Sequence, residues 1–255
     1  MNNGLFDVPR DGFQRLTIPQ TGRYRFEVIG ASWYDEIPGA RIIGEVCLEQ
    51  GDKITVALGQ TGNYDGCGHG GTFIVKDDGG FAPQPLFVAA GAGHAYSDLD
   101  FSKASLSQTA SGNDKIGSGG VQKFIGGNRY EIYNTLCSGA GFSEAPVTWR
   151  LSGSSVAPKC HKDGLIGGKI IDDNGRLMEG GFGGGGASYY ENGHYYSGAG
   201  GGYTGGGTRI YNDEDCDGGG GGSFSIDEEA QFDHAQETYG KCTITYLDRD
   251  IIELD

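Results

Sequence analysis

The side chains able to do chemistry are few and scattered. Asp213, Glu214, Asp215 and Asp217 gather four carboxylates into five residues, the oxygen-rich set that a calcium ion takes. Their spacing matches no EF-hand loop, and a solvated acidic turn ahead of a glycine run accounts for them. His69, His94, His161, His194 and His234 lie far apart, with no HExxH pair to make a zinc site. No G-x-S-x-G elbow offers a serine nucleophile. No glycine loop runs into Gly-Lys-Ser/Thr, so no phosphate cradle is formed. Asp35 and Glu36 could pair as acid and base, but a loop after a strand is polar in any case. The pattern gives no catalytic residue, no metal ligand set and no cofactor site, and it points away from an enzyme.

Cysteine and tyrosine remain. Cys47, Cys67, Cys137, Cys160, Cys216 and Cys242 form an even set without CxxC spacing. They read as structural disulfide candidates in an oxidising compartment, with the connectivity open. Against that, the opening MNNGLFDVPR holds no apolar run for a signal peptide, and the chain has no Asn-X-Ser/Thr sequon. Tyr189, Tyr190, Tyr195 and Tyr196 are a candidate binding surface, since tyrosine is enriched where proteins meet. The competing reading, extended to Tyr203, is that these rings shield neighbouring backbone from water.

What must position these residues is glycine. Three runs stand out: residues 180–186 (GGFGGGG), 198–207 (GAGGGYTGGG) and 218–222, five glycines in a row. Glycine loses the most backbone freedom on ordering, so such runs are either linkers or backbone that itself packs. The regular form open to them is polyproline II geometry, three residues per turn with no internal hydrogen bonds. Every N–H and C=O then needs a partner in a neighbouring segment. Interruption by aromatics, in a chain with 14 Tyr and 12 Phe, argues for order. The structural glycines expected in such a bundle are Gly180, Gly181, Gly183, Gly184, Gly185 and Gly186 in the first run. Those of the second are Gly200, Gly201, Gly202, Gly205, Gly206 and Gly207, and those of the third Gly218, Gly219, Gly220, Gly221 and Gly222.

Around the runs the pattern is that of strands. Tyr24, Phe26 and Val28 alternate with Arg23, Arg25 and Glu27. Residues 45–48 and 53–58 flank a four-residue turn and predict a hairpin, as do 72–75 and 85–90 around 77–80, with Pro83 and Pro85 placing the last strand's start at an edge. Near the C-terminus Cys242, Ile244 and Tyr246 share one face. Residues 227–236, with acids in their first turn, predict a helix. The expected division is first sheet strands in 1–92, a glycine-rich insertion in 93–222 and closing strands in 223–255, an all-β chain whose sheet closes through its ends.

At 255 residues the chain is long enough for a real core, although its apolar fraction is only 36%. A formal charge of −15 excludes nucleic acid and anionic membrane surfaces as natural partners. No stretch is long enough to span a membrane. A protein ligand or self-association is the expectation.

Several motifs, in order, resemble one family: YRFEVIGA at 24–31, LEQGDKITVALGQTG at 48–62, GGTFIV at 70–75, PLFVAAGAGHAY at 85–96, EGGFGGGG at 179–186, GGGYTGG at 200–206, and the closing GSFSI and KCTITYL. Over roughly residues 6 to 248 the chain is similar to the glycine-rich extracellular domain of the anaplastic lymphoma kinase and leukocyte tyrosine kinase receptors. The resemblance implies an antiparallel, tumour-necrosis-factor-like β-sandwich with an inserted bundle of polyglycine II helices, located outside the cell or on its surface. It implies binding of small cytokine-like protein ligands. The chain departs from the family between Ala187 and Tyr196, which is aromatic and polar, and it carries no kinase and no cysteine-rich module. A stand-alone secreted protein that self-assembles on a surface or in a filament is the alternative, with a phage or bacterial adhesin tip as a third.

Overall fold

The computed structural model describes residues 6–7, 12–33, 36–77, 82–113, 115–120, 122–123, 137–146, 155–172, 174–191, 193–211 and 215–247. The protein is all-β. Among the described residues the one α-helix, α1 (Leu99–Ser102), is a single turn whose cap Asp98 accepts the Phe101 amide.

Alternating apolar residues build two antiparallel sheets. The first runs β1 (Phe6–Asp7), β2 (Phe13–Thr17), β5 (Lys53–Ala57), β6 (Thr72–Asp77), β7 (Gln84–Ala89) and β15 (Phe224–Ser225). The second runs β16 (Gln231–Ala235), β4 (Gly39–Leu48), β3 (Gly22–Ile29) and β17 (Lys241–Leu247). Period-two alternation turns Tyr24, Phe26 and Val28 of β3 into a core shared with Ile54, Val56, Ile74, Leu86 and Phe87 of the first sheet. The Phe26 and Phe87 rings meet at 5.2 Å. Burying each such side chain contributes about 1.5–3 kcal/mol. The closing strands enter both sheets: β15 pairs with β7, β16 with β4 and β17 with β3.

Two expectations are corrected. The turn at 49–52 does not close a hairpin, because β4 and β5 lie in different sheets. It carries the chain between them, tied down by the Ile18 amide donating to Asp52 O (2.8 Å), the Gly51 amide donating to Ile18 O (2.9 Å), and Lys76 Nζ on the Asp52 carboxylate (2.8 Å). Leu48 and Ile54, on either side of it, sit in the same core. Residues 227–236 form no helix. Asp227 does accept the Glu229 amide in the manner of a cap, but it also accepts the Glu45 amide, and β16 then pairs with β4 from Gln231 opposite Ile43 to Ala235 opposite Gly39. An isolated ten-residue helix is marginal, and the open edge of β4 offers a full ladder instead. Strands β6 and β7 pair antiparallel as expected, with Pro85 opposite Val75 next to a register irregularity and beyond the end of β15.

The glycine segments are ordered by hydrogen bonds that repeat every three residues. Gly198 and Gly201 donate to Gly66 and His69; Ala199 and Gly202 to Cys137 and Ala140; Gly200 and Tyr203 to Gly219 and Gly222. Each segment therefore turns its amides to three neighbours in rotation, the spacing of a three-residue-per-turn extended helix. Gly218 and Gly221 donate to His94 and Gly91, and Gly91 and His94 to Gly201 and Gly198, so 91–94 runs antiparallel to both partners. Segments from the first 92 residues thus lie inside the glycine bundle. The approach is closer than any side chain permits: a Cβ on Gly220 would fall on the carbonyl oxygen of Lys103, and one on Gly206 on that of Gly219.

Two smaller sheets finish the chain. One is the hairpin of β9 (Lys169–Ile171) and β10 (Leu177–Glu179). The other is ordered β11 (Tyr189–Glu191), β12 (His194–Tyr196), β14 (Asp215–Gly218), β13 (Thr208–Tyr211) and β8 (Gln122–Lys123). No helix among the described residues is long and apolar enough to cross a membrane.

Candidate aromatic binding cleft

The directions of the glycine segments decide what gathers at one end of the bundle. Segments 66–69, 198–201 and 219–222 run parallel, and 91–94 runs against them. The residues that precede the first three and follow the last therefore converge: Tyr64 and Asp65, then Tyr195 to Ser197, Asp215 to Asp217, and Tyr96. A cleft of about 350 Å³ opens there, lined by Tyr64, Asp65, Tyr96, Arg176, Tyr190 and Tyr195 among others.

The β11–β12 hairpin splits its four tyrosines by strand alternation. Tyr189 and Tyr196, paired across the hairpin, are buried over Cys67, Cys137, Cys216 and Met178. Tyr195 is 46% exposed and Tyr96 53%. One pair of the tyrosine set is thus buried in a small apolar cluster while Tyr195, on the opposite face of the same hairpin, is half exposed. The outer rings form a continuous chain, with Tyr190 to Tyr195 at 4.6 Å, Tyr195 to Tyr96 at 5.1 Å and Tyr96 to His94 at 4.8 Å between centroids. Such pairs add about 0.5–1.5 kcal/mol beyond burial and fix the rings in place.

Polar groups hold the base of the cleft. His94 Nε2 lies 3.3 Å from Asp65 Oδ1, and its Nδ1 3.3 Å from Ser197 Oγ. A carboxylate only accepts, so Nε2 carries the hydrogen and neutral Nδ1 accepts from the serine. Burial lowers the His94 imidazole below its ordinary range, against the pull of Asp65 and Asp217. Arg176 lies 5.1 Å over the Tyr64 ring, donates to the Tyr64 hydroxyl at 2.7 Å and pairs with the buried Asp172 carboxylate at 2.9 Å. Asp217, also buried, accepts the amides of Tyr96 (3.1 Å) and Ser97 (3.3 Å), as well as the Ser97 hydroxyl. Burial, then Asp65, pushes the Tyr96 phenol up to about 12.

The other sequence candidates take structural places. Asp215 accepts the Tyr195 amide at 2.9 Å and Asp217 braces residues 96–97, while Asp213, Glu214 and Asp35 lie outside the described residues. No group of three His, Cys, Asp or Glu among the described residues is placed to hold a metal ion. The disulfide expectation is corrected: none of the six cysteines is joined in a disulfide. Cys67 lies 3.2 Å from Ser188 Oγ, and the thiols of Cys137 and Cys216 turn to the carbonyls of Tyr196 and Asp217, each at 3.7 Å. The Cys160 thiol lies 3.1 Å from Asp163 Oδ2. Cys47 and Cys242 stand on β4 and β17 with β3 between them, opposite Arg23 and Val28. At about 3.3 Å per residue and 4.8 Å per strand they are on the order of 19 Å apart, far beyond disulfide reach.

A second, more open groove of about 400 Å³ is lined by Arg23, Arg25, Glu45, Cys47, Asp227 and Glu229. It carries charge of both signs and no aromatic ring, and Arg23 with Glu45 (3.4 Å) is already paired. No family model matches the chain, and no curated protein matches it.

Proposed function

We propose that this protein is an extracellular or cell-surface protein-binding module, similar to the glycine-rich ectodomain of the anaplastic lymphoma kinase and leukocyte tyrosine kinase receptors, with the tyrosine cleft as its contact surface. In this reading the two sheets are a tumour-necrosis-factor-like sandwich and the three-residue hydrogen-bond repeat is that of a polyglycine II bundle. One observation carries it: half-exposed tyrosines in mutual ring contact, mounted on backbone hydrogen-bonded on every side. Aromatic side chains held rigid at a concave surface lose little entropy on binding, which is what makes tyrosine an energetic anchor.

Calorimetry of the purified chain against a panel of small cytokine-like proteins tests the reading. The expected result is a complex that Tyr195→Ala weakens by at least about tenfold, a loss of roughly 1.4 kcal/mol or more. Absence of any complex, or one indifferent to Tyr195→Ala, would contradict it.

Self-assembly is supported by a separate feature. Strand β17 pairs only with β3, and among the described residues its other edge has no partner. An uncovered seven-residue edge is a template for another chain. Sedimentation at rising concentration separates the readings, since a strict monomer throughout removes self-assembly.

A further inference from the structure

We propose that the tyrosine cleft takes a lysine or arginine side chain of the bound protein, its cation lying over the faces of Tyr96 and Tyr195 and countered by Asp65. This rests on the reading of the cleft as a protein-contact surface and names the chemistry of its anchor.

The bases near the cleft are already committed. Arg176 is held by Asp172 and by the ring and hydroxyl of Tyr64. Arg209 lies 2.8 Å from Asp98, 3.6 Å from Asp217 and 4.2 Å from the Phe101 ring centroid. The acid of the lining is not neutralised. Asp65 has a side chain 60% exposed, and its ion-pair neighbour is His94, whose imidazole burial keeps uncharged. Once Arg176 is cancelled by Asp172, the cleft carries one negative charge, and that charge stands beside a chain of electron-rich ring faces. Both attract a cation: the ring quadrupole through its negative face, the carboxylate by Coulomb attraction in a partly water-excluded space. An anion would meet Asp65, and among the described lining residues the one base, Arg176, is already paired with Asp172. A neutral polyol would leave the carboxylate uncompensated. The charge of −15 over the whole chain draws cationic partners by the same sign.

The test uses the full chain and three small probes followed by tyrosine ring NMR: Nα-acetyl-arginine amide, Nα-acetyl-lysine amide, and the neutral arginine isostere Nα-acetyl-citrulline amide. The two cations are expected to bind in the millimolar range and to shift the Tyr96 and Tyr195 rings, with citrulline at least about fivefold weaker. Asp65→Asn, which keeps the shape and the His94 contact, should weaken the cations about fivefold and leave citrulline unchanged. Citrulline binding as tightly as arginine, cation binding untouched by Asp65→Asn, or unmoved rings would each overturn the proposal. The citrulline comparison needs no variant, so it holds whether or not Asp65→Asn folds. A protein complex that needs Tyr195 yet tolerates Asp65→Asn would remove the cation and leave the contact surface standing. A complex indifferent to Tyr195→Ala would remove the surface itself.

Discussion

His69 is wholly buried against Trp33, at 5.7 Å between ring centroids, and neither ring nitrogen has a hydrogen-bond partner among the described residues. Burial pushes its pKa down to about 3, and burial also lowers His94 and His161. The folded state therefore keeps these rings neutral, while the unfolded chain protonates them below about pH 6.5. Stability is full above that pH and falls as pH drops from about 6.5 toward 3, by about 1 kcal/mol per pH unit for each ring still neutral in the fold. Denaturant melts at pH 7, 5.5 and 4.5 should show this loss, and His69→Phe should flatten it. The thiols give a second residue-scale expectation. Cys47 is exposed, whereas burial raises the thiols of Cys67 and Cys137, and pushes Cys216 up to about 12. An aromatic disulfide reagent should label Cys47 in the native protein and reach these three only after unfolding. The tyrosines of 189–196 were legible by residue type, but the hairpin that sends them to opposite faces was not, because its two strands have only three residues each. Tyr64, Asp65, Tyr96 and Arg176 were not, since they meet only through the directions of the glycine segments. One signal was available: an aromatic flanks the glycine segment at each of Tyr64, Tyr96 and Tyr196.

Alternation located β3, β4, β5, β6, β7 and β17 but not all of their partners, and strands β9 to β14, of three or four residues each, are too short to show it. Residues 45–48 and 53–58 alternate like the arms of a hairpin, yet they join two sheets, because a tight turn serves either purpose and the shared core of Leu48 and Ile54 decides. Residues 227–236 carry a helix's opening chemistry in Asp227 and its neighbours. The edge of β4 outcompetes it, a long-range term that no window of sequence contains. Phe232, half-buried against the core from β16, should then matter as a strand residue. Phe232→Ala is expected to cost about 2–3 kcal/mol, measured by denaturant melts, whereas a helix-favouring Asp233→Ala on the exposed side should gain nothing. The glycine runs make a sharper test at this scale. Gly220→Ala would set a methyl on the Lys103 carbonyl and should cost more than about 3 kcal/mol, while Gly175, at φ +75 in open space, should lose only about 1–2 kcal/mol on the same change. Equal melting temperatures for the two variants would deny close backbone packing at 220.

At the scale of the molecule, two apolar sheet faces make one core, and the glycine segments turn backbone hydrogen bonding into a rigid platform for the tyrosine cleft. The bundle carries few apolar side chains of its own. Its order depends on amides satisfied in three directions, each contributing about 1 kcal/mol net, against the large entropy of fixing glycine. Amide hydrogen exchange read residue by residue across 198–203 and 218–222 tests that platform most directly. The expected result is protection of every bonded amide in both runs by at least ~10³-fold, close to that of β3 and β6. Random-coil exchange throughout these runs, with the strands still protected, would make them linkers and leave the cleft without its support.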